Sequence, residues 1–99
     1  METAGVKTQL TAIRDNLPLH YSLQSARKLM SSYENYKQVL QAMGNRSAAL
    51  LTGVQSELAG IELDIREAIE GTPKKEAELR FAEAKRHIAE DINSILGQL

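Results

Sequence analysis

Three residues, Gly71, Thr72 and Pro73, separate two long apolar stripes, and this constrains the fold more than any other feature of the chain. Upstream, Leu50, Val54, Leu58, Ile61, Ile65 and Ala68 or Ile69 recur at steps of three and four. Downstream, Ala77, Phe81, Ala84, Ile88, Ile92, Ile95 and Leu99 do the same. That spacing is the 3.6-residue period of one helix face. Between the stripes, Gly71 is a stop, Thr72 an N-cap and Pro73 a first helical residue, with Glu76 in the opening turn. A connection this short forces the two helices to pack antiparallel as a hairpin.

The first part of the chain reads the same way. Val6, Leu10, Ile13 and Leu17 mark a short helix, and Pro18 breaks it within "DNLPLHYS", where Asn16 or Ser22 can cap the next helix. That second helix carries Leu23, Ala26, Met30, Tyr33, Leu40 and Met43, with Leu29 and Tyr36 widening its stripe. Aromatic residues are few (Tyr21, Tyr33, Tyr36, Phe81), β-branched residues never alternate with polar ones, and strong helix formers dominate. The expected fold is all-α: an antiparallel bundle of three main helices plus a short N-terminal helix. The helices are expected near 4–16, 20–43, 47–70 and 73–97 of a single domain covering 1–99.

The segment Gln41 to Gly53 admits two readings. Gly44, Asn45 and Ser47 have the chemistry of a helix stop followed by a new cap, and a turn there leaves three main helices of nearly equal length. Alternatively the register of residues 26, 33 and 40 continues to Ser47 and Val54. That would make one helix over 22–70, about 73 Å long, which only a dimer could cover. The near-equal lengths favour the turn.

Charge and composition narrow the function classes. With 12 basic and 13 acidic residues the formal charge is -1, so no global field gathers polyanions. The chain has no cysteine, which removes disulfides and thiolate chemistry. No run of 18 uncharged apolar residues and no apolar leader segment is readable, so a cytoplasmic location and no membrane partner are expected.

Candidate chemistry is sparse. Glu83, His87, Glu90 and Asp91 share one side of the last helix, but the di-iron carboxylate pattern needs Glu-x-x-His on two helices, so a solvated charged face is expected. Glu67 and Glu70, with Asp64, have the Glu-x-x-Glu spacing of all-α nucleotide pyrophosphatases, without the matching acidic pair on a facing helix. Small chorismate mutases are comparable in size alone, and Arg14, Arg27, Lys28 and Arg46 do not reproduce their pattern. His20 stands in the Pro18 loop without a nucleophile or carboxylate motif. No catalytic, cofactor-binding or metal-ligating set emerges, and no cofactor is expected.

The remaining class is a small helical module for protein–protein interaction: an assembly factor, adaptor, chaperone or inhibitor, of bacterial or phage type, expected to form a homodimer. Its candidate interface comprises Tyr33, Tyr36, Leu40 and Met43 on the second helix, together with the small-residue stripe Ala49, Gly53, Ser56 and Gly60, where another backbone could come close. Two alternatives stand beside it. One is a nucleic-acid-associated helical protein using Arg27 and Lys28 as phosphate contacts. The other is a small dimeric all-α enzyme with an interface site, which would require Arg14, Arg27 or Arg46 to converge with Glu67 or Glu70.

Overall fold

The computed structural model of the chain describes residues 3–43, 48–70 and 73–98, with side chains from 5 to 43, 57 to 70 and 73 to 98. Among the described residues four helices follow one another: α1 (Thr3–Asp15), α2 (Leu23–Met43), α3 (Ala48–Glu70) and α4 (Lys74–Gln98). The protein is an all-α helical bundle. α2, α3 and α4 form its body, and α1 packs against α2 and α4.

Local chemistry sets most of the boundaries. Ser22 is the N-cap of α2, because its Oγ accepts from Ser25 N at 2.9 Å while its carbonyl accepts from Ala26 N at 2.9 Å. The helix therefore starts at Leu23, not near residue 20. Asn16 closes α1, its Nδ2 donating to Ala12 O at 2.7 Å. At α4 the carbonyl of Pro73 accepts from Ala77 N at 3.1 Å, the first full helical bond. Gly71 and Thr72, and the turn expected at Gly44, Asn45 and Ser47, lie outside the described residues.

Two tyrosines record the antiparallel register of α2 and α3. Tyr33 Oη donates to Leu58 O at 3.1 Å, and Tyr21 Oη donates to Ala68 O at 3.0 Å. Residue numbers rise along one element as they fall along the other, so α2 and α3 run antiparallel. The alternative of one helix over 22–70 is thereby corrected: the two segments lie side by side, and the molecule measures 41 × 23 × 18 Å with a radius of gyration of 13.5 Å. The physical reason is that packed together they bury a shared apolar face within one chain.

That face is strict in its spacing. Ala26, Leu29, Tyr33, Tyr36, Leu40 and Met43 are all buried, as are Ile61, Ile65 and Ala68 opposite them, and Phe81, Ala84, Ile88, Ile92 and Ile95 on α4. Val6 and Leu10 bring α1 into the same cluster. Removing the Tyr21 hydroxyl tests the register contact. Tyr21→Phe keeps the edge-on ring contact with Phe81, at 5.6 Å between centroids, and loses the bond to Ala68, so it should lower stability by about 1 kcal/mol. A shift of the urea midpoint at unchanged slope is the expected reading.

Candidate functional site

Burial redistributes the residues singled out by sequence. Tyr33 is 1% exposed, Tyr36 0%, Leu40 3% and Met43 7%. All four are spent in the core of one chain, so they present no free face to a partner. Periodicity alone could not decide this, since a stripe looks the same whether its cover comes from the same chain or another. Of the small-residue stripe, the side chains of Ala49, Ser56 and position 53 lie outside the described residues. Gly60 is exposed, with open space where a Cβ would stand, so no backbone approaches it.

The charged candidates resolve into surface pairs. Arg80 Nε bonds Glu67 Oε2 at 2.9 Å, with Asp64 at 3.7 Å and Glu76 at 4.0 Å. Of the carboxylates considered for magnesium, Glu67 and Asp64 are thus engaged by a guanidinium. On α4, Arg86 bonds Glu83 at 2.8 Å and Glu90 at 3.1 Å, and His87 Nε2 lies 3.5 Å from Glu83. The hydrogen bond from Arg86 holds the Glu83 carboxyl below its usual range. Among the described residues no group of three or more histidine, aspartate or glutamate side chains is arranged to hold a metal ion.

The arginines do not converge. Arg14 reaches Asn93 Oδ1 on α4 at 2.7 Å and its neighbour Asp15 at 3.2 Å, which ties α1 down. Glu67 is taken by Arg80, Glu70 is exposed, and Arg46 lies outside the described residues. Arg27 and Lys28 stand exposed at the start of α2, with no carboxylate partner among the described residues. His20 is exposed beside a shallow hollow lined by Leu19, Tyr21, Glu78, Phe81, Ala82 and Lys85, whose Lys85 Nζ donates to Leu19 O at 3.1 Å.

Two features stand out from this surface. The first is a groove of ≈ 450 Å³ between α1 and α2, lined by Gln9, Ala12, Ile13, Asn35, Gln38, Val39 and Ala42. In a chain that is 25% charged, none of these seven residues bears a charge. Aliphatic and methyl surface forms most of the groove, and three amide side chains supply donors and acceptors at its walls.

The second feature is a polar constellation at the margin of the core. Burial first, and then the carboxyl of Glu57, an exposed residue of α3, push Asp91 of α4 up to about 7. Tyr36 of α2 faces the pair, and burial first, then Asp91 and Glu57, hold its phenol far above the ordinary value. Both Tyr36 Oη and Asp91 Oδ2 are buried without a hydrogen-bond partner.

Asp91 departs from the solvated face expected for it. The reason is visible in the spacing: Ala77, Phe81, Ala84, Ile88, Asp91 and Ile95 run at steps of four, three, four, three and four, which sets a half-buried Asp91 at the edge of the apolar stripe beside the fully buried Ile92. Among the described residues no helix is long and apolar enough to cross a membrane. No protein-family model, curated protein or solved structure matches this chain.

Proposed function

We propose that the chain is a cytoplasmic protein-binding module that self-associates through the α1–α2 face. The uncharged groove between these helices carries the reading. A polypeptide surface suits it, because aliphatic side chains fill the apolar floor while the amides of Gln9, Asn35 and Gln38 satisfy polar groups at the edge. A polyanion finds no cation there. A second copy is the occupant put forward, since α1 and α2 are amphipathic helices whose outer edges meet at this groove and the symmetric pairing of identical patches is the commonest route to a dimer.

Light scattering across a range of concentrations tests it, comparing the native chain with Ala12→Arg. Ala12 is exposed, so the substitution leaves the core intact and places a charge in the groove. A dimer mass for the native chain and a monomer mass for Ala12→Arg, with equal helical circular dichroism, is the expected result. A native chain that stays monomeric at several hundred micromolar overturns self-association.

A further inference from the structure

We propose that α1 is a detachable arm whose docking builds the groove, so that release of α1 and self-association exclude each other. The inference rests on the reading of the groove as the self-association surface and adds to it what governs that surface.

The arm is lightly held. A helix of 13 residues is marginal alone in water, so α1 owes its order to what it packs against. Among its described side chains only Val6 and Leu10 are buried, with Ile13 partly so, whereas α4 buries Ala77, Phe81, Ala84, Ile88, Ile92 and Ile95. Two buried side chains set against the ordering of a whole helix leave a narrow margin. From the last turn Arg14 Nη1 donates to Asn93 Oδ1 of α4 at 2.7 Å, an exposed bond that clasps the arm. Beyond it the connection is fixed more firmly. Lys85 Nζ donates to Leu19 O at 3.1 Å, and Tyr21 sets its ring against Phe81 and its hydroxyl on Ala68 O. Release of α1 therefore pivots before Tyr21 and leaves α2 seated on α3.

The groove has no existence apart from the arm. Gln9, Ala12 and Ile13 form its α1 wall, and the other wall belongs to α2. When α1 leaves, the first wall goes with it and the core around Val6 and Leu10 opens to water. A second copy seated in the groove thus binds the docked form alone, and it stabilises docking by mass action. The converse holds by linkage: whatever loosens the clasp lowers the share of chains able to associate.

Native-state hydrogen exchange in low urea reads both sides of this equilibrium. In the dilute chain the α1 amides from Lys7 to Ile13 should open at least about tenfold more often than the α4 amides from Ile88 to Ile95, and with a shallower urea slope, because arm release exposes little surface. At the concentration where light scattering finds nine-tenths of the chains paired, α1 opening should fall about tenfold, since only the unpaired tenth can release its arm. Ala12→Arg should keep the dilute behaviour and lose this dependence. Arg14→Ala should raise α1 opening about five- to tenfold, the loss of one net hydrogen bond to a charged group. Arg14→Lys, which keeps a cationic donor for that bond, should recover most of the difference. Exchange of α1 with the urea slope of global unfolding overturns the arm. A native chain that pairs while α1 opens equally often at both concentrations overturns the linkage and leaves the self-association reading standing. A native chain that stays monomeric at several hundred micromolar overturns that reading, and the linkage with it.

Discussion

Phe81→Ala should lower the stability of the bundle by about 3 to 5 kcal/mol, the usual cost of truncating a buried aromatic ring. For a chain of 99 residues, whose total stability is expected between about 5 and 15 kcal/mol, that is a large share. Burial and two contacts put the effect at the upper end. Phe81 is 3% exposed within the cluster shared by all four helices. Its ring receives the edge of Tyr21, which carries the bond from the α1–α2 connection to Ala68 of α3. Lys85 Nζ lies over it at 5.8 Å from the centroid, while donating to Leu19 in the same connection. Truncation therefore leaves a cavity and releases the segment that positions α2 on α3. Chemical denaturation should show the midpoint falling steeply, and proteolysis should cut first between Asn16 and Ser22. Phe81→Leu, which restores most of the volume, should recover more than half of the loss. A Phe81→Ala cost below about 1 kcal/mol would mean that the ring is not part of the packed core.

The contrast between Phe81 and Leu23 shows what the sequence could and could not disclose. Both sit on apolar stripes, yet Leu23 is 47% exposed. At the first turn of α2, Tyr21 from the preceding connection takes the place on α3 and α4 that the stripe would have assigned to Leu23. Helix type, order and the α3–α4 hairpin were legible because they follow from local rules: the 3.6-residue period, the Ser22 cap and the Gly71–Pro73 break. The role of Tyr36 was not, since periodicity marks a face that must be covered without naming the cover. Asp91 was harder still. Its charge argued for solvent and its register for the apolar stripe, and in the folded chain its Oδ2 is buried without a hydrogen-bond partner.

That conflict has a thermodynamic consequence opposite to the usual behaviour of carboxylates, and it makes the second large prediction. In the folded chain Asp91 holds its proton up to about 7, against an ordinary value of 3.8 that the unfolded chain should retain. Between these values the folded state binds a proton that the unfolded state has released, so stability falls as pH rises. The contribution is fully present below about pH 4 and lost by the time pH passes 7. The partial solvation of Asp91 reduces the amplitude, which should be about 1 to 3 kcal/mol. The Glu83 carboxyl, held low by Arg86, acts in the other direction, and only as pH falls through the acid range. Tyr36, and more weakly Tyr33, are raised by burial, so a further loss of stability is expected above pH 10, where the unfolded phenols ionise first. Urea denaturation of the native chain at pH 5 and pH 8 should therefore give the lower midpoint at pH 8. Asp91→Asn removes the titration while keeping shape. It should raise stability at pH 8 by about 1 to 3 kcal/mol, raise it by clearly less at pH 5, and flatten the dependence between them. A variant less stable than the native chain at pH 8 would show that an ionised Asp91 is held by a favourable partner and stores no unfavourable charge.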